Sequence, residues 1–116
     1  MKLSIVATLY KSEDYVEEFY QRALDEASKL FGDDFEIVLV NDGSPDDSLQ
    51  KAIELSKHDP KIKVLNLSRN FGHHKAIMTG LQQSQGEIVF LLDSDLEEQP
   101  EWLGLFYEKM LVTEAD

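Results

Sequence analysis

The chain has 116 residues, a net charge of −12 and no cysteine. This length suits one domain, the absence of cysteine excludes disulfides and thiolate metal sites, and the acidic charge argues against nucleic acid as a partner. No stretch approaches the roughly 20 apolar residues of a membrane-spanning helix, and the start lacks a signal-peptide pattern, so the predicted compartment is the cytoplasm.

Short apolar runs alternate with segments of helical periodicity along the whole chain. Strands are predicted at residues 2–8, 35–40, 62–67 and 87–92. Helices are predicted at residues 14–31, from Ser44-Pro45 to about Lys57, after the loop that begins at Ser68, and from Pro100 onward. The order βαβαβαβα predicts an α/β fold: a Rossmann-like, doubly wound, mostly parallel sheet in three αβα layers, forming one domain over residues 1–116.

Residue types also predict where helices begin and end. Gly32 is expected to end the first helix. Ser44 is expected to cap the second helix, with Pro45 at its first position. The inward face of this second helix is predicted to carry Leu49, Ala52, Ile53 and Ser56.

Polar segments follow all four predicted strands, at residues 8–13, 41–44, 68–75 and 93–98. Because ligands of open parallel sheets bind beyond the carboxyl ends of the strands, these segments are the candidate binding loops. The first of them lacks the Gly-X-Gly-X-X-Gly turn of a dinucleotide site, and the chain contains no P-loop sequence. Both of those nucleotide-binding classes are therefore disfavoured.

Two aspartates, Asp93 and Asp95, flank Ser94 at the end of the fourth predicted strand. Carboxylates this close repel one another unless a cation lies between them. Hard oxygen ligands favour Mg²⁺ or Mn²⁺, and Mg²⁺ is commonly shared with substrate phosphates. The pattern favours a metal and diphosphate site. The alternative is a solvated acidic loop, which Glu97 and Glu98 would continue.

Other polar side chains in these loops suit a nucleotide ligand. Asp42 can accept a hydrogen bond from a base or a ribose, or it can simply belong to an Asp-Gly turn. Arg69 and Lys75 suit phosphate contacts near a helix N-terminus, or they are ordinary solvated bases. Tyr10 suits stacking on a base, or covering the edge of the sheet.

Taken together, the four loops resemble those of the family 2 glycosyltransferases, which have the GT-A fold. The resemblance covers the whole chain and includes residues 5–10, residues 38–44 and the Asp93-Ser94-Asp95 motif. Residues 67–72, together with Asp95-Leu96 and Pro100-Glu101, are similar to the polyprenyl-phosphate branch, which includes dolichyl-phosphate mannose synthase.

The resemblance implies a role for each candidate residue. Thr8, Tyr10 and Glu13 would line the nucleoside pocket, and Asp42 would contact the base. The full set implied in nucleotide-sugar binding is Thr8, Leu9, Tyr10, Glu13, Asp42, Arg69, Lys75, Asp93, Ser94 and Asp95. A metal, Mg²⁺ or Mn²⁺, would be held by Asp93, Asp95 and Glu97, the last standing where the polyprenyl branch has Gln.

The resemblance further implies an inverting transfer of sugar from a UDP- or GDP-sugar to a polyprenyl phosphate or glycan acceptor. Family enzymes carry their carboxylate base and acceptor site in a C-terminal half. The chain is therefore expected to be the donor-binding part of a longer enzyme, to contain no catalytic base, and to be inactive by itself. The full-length enzyme is expected at the cytoplasmic face of the membrane.

Two other readings of the same pattern are a non-catalytic nucleotide-binding or assembly domain of this fold, and a signalling receiver domain. A receiver domain needs an acidic pair after the first strand, where this chain has Thr8-Leu9, and is therefore disfavoured. The fourth strand is predicted to be an exposed sheet edge. Because such an edge invites strand pairing, we expect the 116 residues to form a homo-oligomer.

Overall fold

The computed structural model describes residues 2–67, 69 and 72–93, with the backbone alone described for His73, His74, Leu92 and Asp93. Strands and helices alternate along this part of the chain as β1 (Leu3–Leu9), α1 (Val16–Phe31), β2 (Phe35–Asp42), α2 (Ser48–His58), β3 (Ile62–Leu67), α3 (His73–Gln83) and β4 (Ile88–Asp93). The predicted fourth helix lies outside the described residues, as do Ser94, Asp95 and Glu97.

The four described strands form one parallel sheet in the order β3-β2-β1-β4. Thr8 of β1 lies level with Val40 of β2 on one side and with Asp93 of β4 on the other. On the far side of β2, Asp42 lies level with Leu67 of β3. All four carboxyl ends therefore meet at one edge of the sheet, which we call the carboxyl edge.

Helices cover both faces of the sheet. On one face α1 and α2 bury Phe19, Ala23, Ala27 and Ala52 against alternate residues of β1 and β2. On the other face Ala76 of α3 packs against Val6, Val38 and Val40. Because both faces are covered, β1 and β2 are buried along their whole length, which explains their nearly continuous apolar sequence. The predicted α/β fold class is confirmed.

Gly80 allows α3 to lie close to the sheet. A Cβ atom at this position would collide with Cγ1 of Val6 and would lie 3.1 Å from Cγ2 of Val40. Alanine would otherwise be the better residue for the interior of a helix. The absence of a side chain at Gly80 is thus a packing requirement of the layer formed by α3.

The start of α2 differs from the prediction. The helix begins at Ser48, after Asp47 at the N-cap, and not at Ser44-Pro45. The Ser44 hydroxyl is used elsewhere, because it accepts a hydrogen bond from the Lys11 amide at 2.8 Å. Ile53, predicted to face inward, is 39% exposed, since the inward stripe of α2 follows Ser48, Ala52 and Leu55.

The other predicted boundaries agree closely with the structure. Each strand begins and ends within two residues of its predicted position, which is the usual uncertainty of element ends. Gly32 ends α1 as predicted, with a φ of 63° that favours glycine, and its amide donates to the Ser28 carbonyl.

Candidate functional site

The described candidate residues lie along the carboxyl edge, but not all side by side. Thr8 and Asp42, near the ends of β1 and β2, are buried, with 7% and 4% of their surfaces exposed. Asp93 ends β4 on the strand next to Thr8. Lys75 lies in the first turn of α3. Arg69 follows β3, three interstrand spacings or about 14 Å from β4, so the backbone does not bring it next to Asp93.

The order of the strands reverses at β1. The chain passes from β1 through α1 to β2 on one side of β1, whereas α3 leads to β4 on its other side. In open parallel sheets, such a reversal leaves a crevice beyond the strand ends, where ligands bind. The crevice here lies between the ends of β1 and β4, at Thr8-Leu9 and Asp93.

Leu9 and Tyr10, which follow each other at this crevice, differ in exposure. Leu9 is fully buried, with its side chain in the core on the α1 face, so it presents no surface at the crevice. Tyr10 is 44% exposed, and its ring centre lies 5.5 Å from Nζ of Lys11. Lys11 has a φ of 54° and is the one non-glycine residue with positive φ in the described ranges. The chain thus turns sharply directly after Tyr10.

The β1–α1 loop, residues 10–13, is tied to the β2–α2 segment, residues 43–51. Three successive amides of the loop donate to side chains of the segment: Lys11 to Ser44 Oγ at 2.8 Å, Ser12 to Ser48 Oγ at 2.9 Å and Glu13 to Asp46 Oδ2 at 3.2 Å. In return, the Lys51 ammonium donates to the Glu13 carbonyl at 2.8 Å. The loop that carries Tyr10 and Glu13 is therefore held in one conformation by its neighbour.

Asp46 lies at the centre of these contacts. Its Oδ1 accepts from the Ser48 amide at 3.1 Å and from the hydroxyls of Ser44 and Ser48 at 2.5 and 2.6 Å. Burial by itself would raise the pKa of Asp46, but the hydrogen bonds outweigh it and lower the pKa to about 2. Asp46 is not among the site residues predicted from the sequence. The alternation of Ser44, Asp46 and Ser48 was the available signal.

Asn41 is a second residue at this edge to which no individual role is predicted from the sequence. It is 3% exposed, and its Nδ2 donates to Oδ1 of Asn66 at 3.0 Å. Its own Oδ1 is buried and has no hydrogen-bond donor among the described residues. Buried polar atoms are nearly always paired, so this unpaired oxygen stands out. Asn41 Oδ1 is thus a further hydrogen-bond acceptor beside Asp42.

A metal centre is not assembled by the described side chains alone. The side chains described within residues 2–67, 69 and 72–91 include no group of three or more His, Asp or Glu that could hold a metal ion, and those of His73 and His74 are not among them. The metal ligands predicted from the sequence are Asp93, of which the backbone is described, with Asp95 and Glu97, which lie outside the described residues. The metal site stays a prediction. Over the same ranges, no helix combines the length and apolar character needed to cross a bilayer.

Comparison with known proteins identifies the family. The sequence pattern described as "Glycosyl transferase family 2" matches residues 4–116. The chain belongs to glycosyl transferase family 2. The resemblance predicted from the four loops is thereby confirmed.

Two relatives illustrate how similar other family members are. A Mycobacterium tuberculosis (strain CDC 1551 / Oshkosh) protein named as a glycosyltransferase is 58% identical over 116 residues, which are 100% of this chain and 34% of that protein. An undecaprenyl-phosphate 4-deoxy-4-formamido-L-arabinose transferase of Pseudomonas fluorescens (strain Pf0-1) is 43% identical over 101 residues, 85% of this chain and 29% of that protein. The chain thus spans about a third of the length of these family 2 relatives.

Solved structures share the fold. S. aureus TarS 1-349 in complex with UDP has a TM-score of 0.71 and 34% identity, covering 82% of this chain and 28% of that chain. The mannosyltransferase PcManGT from Pyrobaculum calidifontis, in complex with GDP-Man and Mn²⁺, has a TM-score of 0.73 and 21% identity, covering 81% of this chain and 27% of that chain. At the lower identity the similarity shows the fold alone. The GT-A fold predicted for this family 2 chain is confirmed.

Proposed function

We propose that this chain is the donor-binding part of an inverting glycosyltransferase, which takes a sugar from a UDP- or GDP-sugar and passes it to a polyprenyl phosphate. The observation that carries the proposal is the crevice between β1 and β4, where Thr8 and Asp93 of the family 2 loops lie level on neighbouring strands. The UDP held by TarS and the undecaprenyl phosphate in the name of the Pseudomonas relative support the choice of donor and acceptor.

The nucleoside is proposed to lie against residues 8–13 and Asp42. Thr8 and Asp42 place short, buried polar side chains at the carboxyl edge, and Asp42 is assigned the contact with the base. The half-exposed ring of Tyr10 offers a flat apolar surface on which a base can stack. Because the backbone of Glu13 is held at both its amide and its carbonyl, the loop need not be ordered by the ligand.

The diphosphate is proposed to lie on the β4 side of the crevice, toward Asp93, Ser94 and Asp95. Asp93, Asp95 and Glu97 are proposed to hold Mg²⁺ or Mn²⁺, which when bound would neutralise charge on the leaving diphosphate. A chain with a net charge of −12 needs such a cation to attract an anionic donor. The first turn of α3, at the same edge, adds the positive end of a helix dipole and the Lys75 ammonium.

An inverting transfer is a direct displacement at the anomeric carbon. The acceptor oxygen forms its bond to that carbon as the bond to the leaving diphosphate breaks. A phosphate monoester is largely ionised at pH 7, so the attacking oxygen of a polyprenyl phosphate has no proton to lose. The donor-binding residues would therefore contribute orientation and leaving-group stabilisation, and none of them is assigned the role of a base.

The test is calorimetric binding of UDP, GDP and NAD to the full-length gene product in Mn²⁺. We expect a diphosphate to bind more tightly than NAD, and Asp95→Asn to weaken its binding at least tenfold, about 1.4 kcal/mol, with loss of most of the Mn²⁺ dependence. The control is Glu54→Gln on the exposed surface of α2, which removes one acidic charge and should leave binding unchanged. Undiminished, Mn²⁺-dependent binding in Asp95→Asn would contradict the metal role.

Transfer itself is tested with radiolabelled UDP- and GDP-sugars, Mn²⁺ and a polyprenyl phosphate. We expect labelled lipid from the full-length protein and none from Asp95→Asn, with the anomeric configuration of the product inverted. Binding of a diphosphate without transfer to any lipid or glycan acceptor would instead support a non-catalytic nucleotide-binding domain of the same fold.

A further inference from the structure

The hydrogen-bond cluster around Asp46 is not used by the proposed function, yet it joins two of the loops at the donor site. We propose that Asp46 is a positioning residue for nucleotide binding, which holds the β1–α1 loop in its binding conformation before the ligand arrives. The inference rests on the proposed function, which places the nucleoside against residues 8–13. Asp46 acts on the protein and makes no contact with the ligand.

Several hydrogen-bond donors converge on the Asp46 carboxylate. An ionised carboxylate has about four sites for accepting hydrogen bonds. Asp46 accepts four, from the amides of Glu13 and Ser48 and from the hydroxyls of Ser44 and Ser48. All four donors belong to the loop and the segment that Asp46 joins: three of them bond to Oδ1, and the Glu13 amide bonds to Oδ2.

The Asp46 carboxylate also orients the two serine hydroxyls. A hydroxyl group has one hydrogen to donate, and both Ser44 and Ser48 donate theirs to Asp46. Each oxygen can then only accept, and it does so from the Lys11 or the Ser12 amide. Including its own bond to the Glu13 amide, one carboxylate thus fixes the acceptors for three successive amides of the loop.

The backbone of Lys11 depends on these bonds. Its φ of 54° lies in the left-handed region, which non-glycine residues adopt at a cost in energy. Bound amides from Lys11 to Glu13 hold the chain in this turn, and the turn directly follows Tyr10. If the bonds were lost, the loop would relax and would have to be ordered again on binding, which weakens affinity.

The experiment compares Asp46→Asn with Asp47→Asn in the full-length gene product. Asparagine replaces one carboxylate oxygen by an NH₂ group, which places a donor against the donors that now face Asp46. The matched control removes the same charge one residue away, where Asp47 is exposed and makes no side-chain cap bond to α2. We expect the Kd for UDP or GDP, whichever the wild type binds more tightly, to rise about tenfold in Asp46→Asn and less than twofold in Asp47→Asn.

Two further readouts separate positioning from a general loss of structure. Amide hydrogen exchange without ligand should become at least tenfold faster at Lys11, Ser12 and Glu13 in Asp46→Asn, with the core strands unchanged. The ratio of diphosphate affinities with and without Mn²⁺ should stay at its wild-type value, because Asp46 acts on the nucleoside side. Asp95→Asn should show the opposite pattern, with a changed Mn²⁺ ratio and unchanged exchange in the loop.

Each outcome decides the inference. If Asp46→Asn binds the diphosphate as the wild type does, or leaves exchange in the loop unchanged, the positioning role is wrong while the proposed function stands. If the wild type binds neither UDP nor GDP, the proposed function fails and the inference fails with it. If Asp46→Asn does not fold, Ser44→Ala is measured in its place, with an expected threefold rise in Kd. Its control is Ser44→Thr, which keeps the hydroxyl and should bind as the wild type does.

Discussion

Replacing Gly80 with alanine should destabilise the chain, although the position is inside a helix. Alanine gains about 1 kcal/mol over glycine in helix propensity. Against this, the new methyl group collides with Cγ1 of Val6 and comes within 3.1 Å of Cγ2 of Val40. Overpacking of this kind costs about 1–3 kcal/mol, and the upper half of that range applies because both valines are stiff and held in the sheet. The expected net loss is about 1–2 kcal/mol.

A second substitution tests whether the collision is the cause. Val6→Ala removes the colliding methyl group and should by itself cost about 2–3 kcal/mol, from lost burial and a cavity. In the double variant the methyl group added at position 80 occupies part of that cavity, and the helix keeps its propensity gain. We therefore expect the double variant to be no less stable than Val6→Ala, with a coupling of about 2 kcal/mol in its favour.

The assay is urea unfolding of the 116-residue chain, followed by circular dichroism, for the wild type, both single variants and the double variant. Effects that simply add would show that Val6 and Gly80 do not meet, and that α3 is not seated on β1 as described. That result would also remove the support for placing the first turn of α3, with Lys75, at the donor site.

Two further predictions concern acid stability and self-association. The pKa of Asp46 is lowered to about 2, so the ionised carboxylate stabilises the fold above about pH 4, and this contribution is lost as the pH falls toward about 2. In acid-unfolding curves, Asp46→Asn should therefore reduce the change of unfolding free energy with pH by about 1–2 kcal/mol, after allowance for solvent screening. An unaltered acid-unfolding curve in the variant would contradict this assignment. β4 is an outer strand of the described sheet, so the chain by itself should self-associate, and light scattering that shows a monomer at high concentration would refute this.

Much of the fold follows from local patterns in the sequence. The apolar runs predict the four strands because a sheet covered on both faces buries every residue of its central strands. The alternation of strands and helices then predicts parallel pairing, which places the polar loops at one edge. Thr8, Asp42 and Asp93 could be assigned to that edge from the sequence because each ends or nearly ends a strand.

The prediction fails where a residue serves a partner that is distant in the chain. Ser44 looks like a helix cap by its neighbours alone, but its hydroxyl is bonded to an amide 33 residues earlier, at Lys11. Asp46 likewise gains its importance from Glu13, which no local pattern connects to it. Ile53 shares helical spacing with Leu49, Ala52 and Ser56, but the packing of α2 buries the stripe through Ser48, Ala52 and Leu55 instead, and this packing cannot be read from the spacing alone.

The same chemistry has different consequences at the two edges of the sheet. Glu36, near the amino edge, is 5% exposed, and its Oε2 accepts from the Ser4 hydroxyl at 2.6 Å and the Gln85 amide at 2.7 Å. Burial would raise the pKa of Glu36, but these bonds and the Lys63 ammonium outweigh it and lower the pKa. A lowered pKa therefore does not by itself identify the site. At the amino edge these bonds fasten Gln85, in the loop before β4, to Glu36 of β2 and Glu36 to Ser4 of β1, away from the ligand crevice. Asp46 differs from Glu36 because the Glu13 amide that it holds belongs to the loop that carries Tyr10. Displacement of this loop should therefore be measurable as a loss of nucleotide affinity.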